Sequence, residues 1–228
     1  NKKDYPQSKE LFLRLEKESE VSTHASLSQL GIMRANFYLN SFDSSIVYAK
    51  KVLTNTKNTT IINDEATYII AKSLMNTGDT KLSLEEFKKL KKSKNGEYSG
   101  EANFIFAENS FNNKKLDESE KMILAISANP TSEYWLAKSI ILLGDIYVQK
   151  NKTLMAKQTY QSIVDNYEGE ELVNIAKSKV DELVKKEEEA KALKEVKVIE
   201  SKKEVDEIII DSKDKPSATT PTIESSVK

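Results

Sequence analysis

Cysteine is absent from the 228 residues, which removes disulfides, thiolate nucleophiles and thiolate-held metals from consideration. That absence fits several compartments and selects none. The one histidine, His24, cannot make a two-histidine metal site. It stands just before a helix, where a polar residue belongs in any case. Six glycines and four prolines are few for an all-β chain, which uses such residues at its many turns. Neither sign of charge dominates: Lys plus Arg number 35 against 36 for Asp plus Glu, a net charge of −1. The strongly basic field that attracts nucleic acid is missing, so no nucleic-acid partner is expected. No apolar run approaches the roughly 20 residues of a membrane-spanning helix. P-loop, dinucleotide-binding glycine and HExxH patterns do not occur, and neither a cofactor nor a catalytic group is expected. No signal sequence is visible from Asn1 onward, which is not evidence against export.

What is present is repetition. In "LLGDIYVQKNKTLMAKQTYQSIV" (residues 142–164), a Leu-Gly pair is followed by Tyr147, then by Ala156, Tyr160 and Ile163. An amphipathic helix needs apolar residues at helical spacing; small residues at fixed offsets mean, in addition, two helices that cross closely. The triplet Ala156, Tyr160, Ile163 recurs in shape as Ser119, Ile123, Ile126; as Ser83, Phe87, Leu90; as Ser45, Ala49, Val52; and as Ser8, Phe12, Leu15. Its first member advances from 8 to 45, 83, 119 and 156, in steps of 37, 38, 36 and 37. Twelve residues before the last four of these lie Met33, Ala71, Ala107 and Gly144. A near-constant period in this range, with two helices per unit, marks an all-α chain built as an α-solenoid.

Each unit divides into a helix A, a turn and a helix B. In the second, "EATYIIAKSLM" is A, "NTGD" the turn and "LSLEEFKKLKK" is B, with Gly78 free to take a positive φ where A ends. In the third, "EANFIFAENSF" and "ESEKMILAI" flank "NNKKLD", and Pro130 in "ANPTSE" bars continuation toward the fourth. The first full unit has "SLSQLGIMRANFYL" as A and "DSSIVYAKKVL" as B. "TNTKNTT" and "KSKNGEYSG" read as connectors. Residues 1–20 have the features of a B helix with no A helix before it, so the chain is expected to begin inside a repeat of a longer array. Residues 21–169 then hold four repeats.

These offsets resemble the tetratricopeptide repeat. Leu143-Gly144, Tyr147, Ala156, Tyr160 and Ile163 fall at its usual small and large positions. The resemblance covers about residues 3–185 and is strongest in the last unit. The period exceeds the standard repeat of about 34, the early-helix Trp is replaced by Thr67, Asn103 or Ile140, and Ser stands for Ala in most B helices. The resemblance implies a right-handed α-solenoid of antiparallel helix pairs. The Lys-, Asn- and Ile-rich wording and long linkers also resemble repeat arrays of bacterial cell-envelope proteins, such as TolA-binding and outer-membrane-assembly lipoproteins. That likeness implies a periplasmic or envelope location in preference to the cytoplasm.

After the repeats, residues 170–189 carry Leu172, Ile175, Ala176, Val180 and Leu183 at helical spacing. They read as the capping helix that covers a solenoid's last apolar face. Residues 190–228, charged and poor in apolar groups, read as a disordered tail. Ile208–Ile210 within it read as an apolar accident or a short recognition strand.

The resemblance implies that A helices line a concave groove and that function comes from its surface. Its groove positions fall at Glu65, Tyr68, Lys72 and Asn76; at Glu101, Phe104, Glu108 and Asn112; at Lys138, Asp145 and Gln149; and at Arg34 and Tyr38. Tyr68 and Phe104 share one offset. Asn76, Asn112 and Gln149 share another and could bind the backbone of an extended peptide. The Lys/Asn carboxylate clamp of chaperone-binding members is not reproduced, because Glu108 and Asp145 stand where basic or amide groups would be. The family thus implies a non-catalytic scaffold with a protein or peptide partner. A spacer or oligomerising arm of a larger enzyme or machine is the alternative.

Overall fold

Four helices of one length recur along the chain: α2 (Ser22–Tyr38), α4 (Thr60–Asn76), α6 (Gly96–Asn112) and α8 (Glu133–Gln149) each have 17 residues. Their starts at 22, 60, 96 and 133 advance by 38, 36 and 37, and α10 (Glu170–Lys213) begins 37 residues later. These are the A helices. Between them lie the B helices α3 (Phe42–Leu53), α5 (Thr80–Leu90), α7 (Leu116–Ala128) and α9 (Thr153–Asn166), with α1 (Tyr5–Glu18) ahead of the first A helix. The computed structural model describes residues 4–18 and 22–213, and every element among them is a helix. The chain is an all-α repeat array. From α1 to α9 each helix packs on the next, and A helices also meet A helices, as α2 does α4 and α6 does α8.

The A–B connection is the same device four times. Each has three residues, and the middle one is left-handed: Asn40 at φ 56°, Gly78 at 88°, Lys114 at 62° and Asn151 at 56°. The residue that follows donates its N–H to a carbonyl five positions back: Ser41 to Asn36, Asp79 to Leu74, Lys115 to Ser110 and Lys152 to Tyr147, at 2.8–2.9 Å. This is the helix-ending arrangement in which a left-handed residue lets the chain satisfy carbonyls that the helix leaves open. Glycine is the cheap occupant of that conformation, and asparagine the usual second choice.

The small residues of the repeat lie where helices cross. Ser45, Ser83, Ser119 and Ala156 are all fully buried. A Cβ added to Gly144 would stand 2.2 Å from a ring carbon of Tyr160, and one added to Gly31 would stand 2.4 Å from the ring of Phe12. In each pair the ring occupies the space that the glycine leaves open.

Expectations about two helix starts and about the C-terminal region are corrected. "KSKNGEYSG" is not wholly a connector, since Gly96–Gly100 form the first turns of α6. Their glycines serve close approach: a Cβ on Gly96 would meet the Thr131 carbonyl oxygen at 2.1 Å, and one on Gly100 would meet Trp135 at 3.0 Å. Similarly, His24 lies inside the first turn of α2. The second correction concerns the C-terminal region. The helix expected to stop near residue 189 runs on to Lys213, and Ile208–Ile210 lie within it. No glycine or proline interrupts residues 170–213, Glu, Lys, Ala and Leu favour helix, and Glu182–Lys186 and Lys185–Glu189 add pairs at i,i+4 spacing. Residues 214–228 of the expected tail lie outside the described residues. By contacts the chain divides into units 1–177 and 178–228. The first holds the repeats and the start of α10, where Leu172 and Ala176 are buried. In the second, residues 188–197 are exposed along α10.

Candidate functional site: the wall of A helices

The wall is best described by counting from Met33, Ala71, Ala107 and Gly144, one in each A helix. One residue after these stand Arg34, Lys72, Glu108 and Asp145; six before the last three stand Glu65, Glu101 and Lys138. Neighbouring A helices pair these two positions. Arg34 holds Glu65 with a two-pronged guanidinium grip at 2.5 and 2.6 Å, and the contact with Glu65 raises the Arg34 pKa further. Lys72 donates to Glu101 at 2.6 Å, and Glu101 is buried, at 4% exposure. Burying a carboxylate is costly unless its oxygens are met; the second oxygen of Glu101 accepts from the Tyr68 hydroxyl at 2.6 Å. Burial, helped by that carboxylate, pushes the Tyr68 hydroxyl far above the usual tyrosine range.

The next step reverses the signs and does not close. Glu108 and Lys138 make no ion pair among the described residues. The Lys138 ammonium instead lies 4.9 Å from the centre of the Phe104 ring and 5.0 Å from that of Trp135, an attraction worth about 0.5–2 kcal/mol. Burial raises the Glu108 carboxyl pKa, against an opposing pull from Lys138.

Aromatic residues form a second series. Tyr68 and Phe104, three before Ala71 and Ala107, meet rings that lie nine before Ala107 and Gly144 on the next A helix. Tyr68 stacks on Tyr98 at 4.3 Å and 19°; Phe104 meets Trp135 at 5.4 Å. Phe104 is buried at 3% exposure, so it forms the floor of the wall and presents little surface. Trp135 packs on the preceding A helix, where Gly100 leaves it room.

A hollow of about 400 Å³ opens where the charge pairing fails, lined among others by Tyr68, Lys72, Glu101, Phe104, Glu108, Trp135 and Lys138. It brings together Tyr68, Lys72, Glu101, Phe104, Glu108 and Lys138 of the expected groove set. The remaining positions lie elsewhere. Tyr38, Asn76, Asn112 and Gln149 are the last residues of their helices and are all exposed. Tyr38 stacks on Tyr5 at 4.6 Å, and the Asn76 amide donates to its own helix at Lys72. Asp145 accepts from Tyr160 of α9 at 2.7 Å. Tyr98 and Trp135 were not among the groove residues read from the sequence. Their common position nine before the small residue was a legible signal.

A larger hollow, about 580 Å³, lies between α8 and the α9–α10 link, where Ile140, Ile163 and Asn166 contribute. Asn103, Ile126 and Asn129, each 37 residues earlier, line another of about 320 Å³. Its recurrence one repeat apart makes it a product of how a B helix leaves for the next A helix. Among the described residues no group of three or more His, Cys, Asp or Glu could hold a metal, and no helix is long and apolar enough to cross a membrane.

A family model described as a tetratricopeptide repeat-like domain matches residues 39–185. Among solved structures, the chain resembles YrrB, described as a TPR protein with an unusual peptide-binding site, at 17% identity and a TM-score of 0.53, over 76% of this chain and 84% of that one. It also resembles the apo form of RapI at 14% identity and a TM-score of 0.57, over 83% of this chain and 69% of that one. At these identities the likeness is one of fold. No curated protein matches the sequence significantly.

Proposed function

Because the chain belongs to the tetratricopeptide repeat-like family, we propose that it is a non-catalytic scaffold that binds a protein or peptide partner along its A helices. One observation carries this reading: at the hollow lined by Glu108 and Lys138, these two charges of neighbouring A helices make no ion pair among the described residues. Elsewhere the wall closes on itself through Arg34–Glu65 and Lys72–Glu101. Rings of Trp135 and Tyr134 beside the hollow supply contact area with few rotors to freeze, the property that makes aromatic groups dominate interface energies. On this reading the amides of Asn112 and Gln149, exposed at the ends of α6 and α8, bond a ligand's backbone. The likeness of the Lys-, Asn- and Ile-rich sequence to bacterial envelope arrays supports a place in the periplasm or cell envelope. The 44 residues of α10, roughly 66 Å at 1.5 Å per residue, support a spacer role as a second reading.

Site-directed photocrosslinking tests the scaffold reading. A photoreactive residue at Asn112, on the wall, is compared with one at Lys121, an exposed position of the B helix α7. Discrete adducts from Asn112 and none from Lys121 are expected in cells of the source organism. Adducts from Lys121 alone would move the binding surface to the B helices.

A further inference from the structure

We propose that the hollow between α6 and α8 takes an arginine side chain of the bound peptide, with Glu108 as its carboxylate partner. This rests on the groove reading above and names the chemistry that the groove selects.

The chain contains its own precedent. On the same wall, the Arg34 fork meets both oxygens of Glu65 at 2.5 and 2.6 Å. One repeat on, Glu101 again has both oxygens met, by Lys72 and Tyr68. Glu108 takes the position of Arg34 and Lys72 in the next repeat with the sign reversed, and among the described residues no donor reaches it. It is half-buried, and the cation that could answer it, Lys138, rests on aromatic rings instead. A carboxylate in that position gains most from a donor that brings two parallel N–H groups and little hydration to lose.

The guanidinium group has those properties. It binds a carboxylate with a planar fork, and its weak hydration lets its face lie on aromatic carbon. Trp135 and Tyr134 stand at the edge of the hollow, 5.1 Å apart and nearly perpendicular. The Lys138 ammonium lies 5.0 Å from the Trp135 ring centre and 6.0 Å from that of Tyr134, so a guanidinium held by Glu108 would share these faces with it. An ammonium ion is a compact, strongly hydrated charge, and the hollow already has one in Lys138. The space of about 400 Å³ admits a long side chain. Lys138 opposes any second cation, so it moderates the affinity for arginine, and its removal should strengthen binding. An acidic ligand would respond to that removal in the opposite sense.

The chain has one tryptophan, and Trp135 lines the hollow, so its fluorescence reports occupancy. The full chain is titrated with pools of acetylated, amidated hexapeptides, degenerate except for one internal position fixed as Arg, citrulline, Lys, Glu or Leu. Citrulline keeps the shape of arginine and removes its charge. We expect the Arg pool to act at about tenfold lower concentration than the citrulline pool, the scale of one charge-assisted hydrogen bond. Glu108→Gln should erase that difference and Lys138→Met should widen it, both with unchanged helicity by circular dichroism. Equal action of the Arg and citrulline pools, or an Arg preference that survives Glu108→Gln, overturns the arginine assignment. A preference for the Glu or Leu pool also overturns it and leaves the groove reading standing. If no pool perturbs Trp135, the groove reading falls with it.

Discussion

Ser83 donates its hydroxyl proton to the main-chain carbonyl of Ala71, twelve residues earlier on the partnered A helix, at 2.9 Å. Ser45 does the same to Met33 at 3.1 Å, and Ser119 to Ala107 at 2.8 Å. The serine of the B helix is therefore more than a small residue that fits a crossing. Its hydroxyl binds the two backbones of a repeat together. Ser83→Ala is expected to lower unfolding free energy by about 0.5–1.5 kcal/mol, the usual net value of one such bond. Ser83→Leu, which inserts a branched side chain at a fully buried position, should cost about 1–3 kcal/mol or more. Denaturant melts that rank the two variants equally would refute the role of the hydroxyl.

Gly144 and Tyr160 make a similar crossing by shape alone. A methyl group at Gly144 would stand 2.2 Å from the Tyr160 ring, and Tyr160 is held by burial at 1% exposure and by its bond to Asp145. Gly144→Ala should destabilise by about 1–3 kcal/mol. In a Tyr160→Leu background its cost should shrink, and a double-mutant cycle measures that coupling.

Lys114 carries a left-handed backbone at φ 62° in the turn where Gly78 sits in the repeat before. A side chain in that conformation costs about 1–2 kcal/mol, partly offset because glycine has more freedom to lose on folding. Lys114→Gly is expected to raise the melting temperature, and Gly78→Ala to lower it.

Asn36 is buried at 1% exposure, and among the described residues neither its amide nitrogen nor its oxygen has a hydrogen-bond partner. Unmet polar groups in an apolar setting cost about 1–3 kcal/mol. The corresponding residue of the next repeat is Leu74, so Asn36→Leu should stabilise the first repeat. A lower melting temperature for that variant would show that the amide has a role in folding.

Glu108 gives a pH signature. Burial raises its pKa in the folded chain, while Lys138 pulls it down and Glu101 adds to the rise. Between the unfolded and folded values the native state holds the proton more tightly, so stability declines as pH rises through that window. Relative to Glu108→Gln, the wild type should match near pH 4 and fall behind at neutral pH. Asp117 and Glu120, held low by Lys150, act in the opposite direction in both proteins and cancel in the comparison.

The fold was legible because its signals are local and repeated. Ala156, Tyr160 and Ile163 announce a helix crossing, and four earlier copies announce an array. Helix ends were less legible. Gly96 and Gly100 carry the composition of a loop, yet they lie in α6 because Thr131 and Trp135 come close to them, a contact that depends on the next repeat. The wall was legible by position and not by state. Offsets placed Tyr68, Lys72, Phe104 and Glu108 around one hollow, but not the burial of Phe104. Phe104→Ala would therefore disturb the core as well as the groove, which makes Glu108 and Lys138 the cleaner test positions.

The charge pairing from one A helix to the next also writes an order into the array. Removing the third repeat would set Lys72 against Lys138, like facing like. Exchanging the third and fourth would do the same and also set Asp145 against Glu101. Removing the second would leave Arg34 facing Glu101, an acceptable match. Copies that share a backbone plan are thus not interchangeable parts, and an array that slips by one unit, or swaps a unit with a second chain, meets repulsion at some joints and not at others. Recombination among such copies has an electrostatic grammar, in which some deletions are readable and others are not.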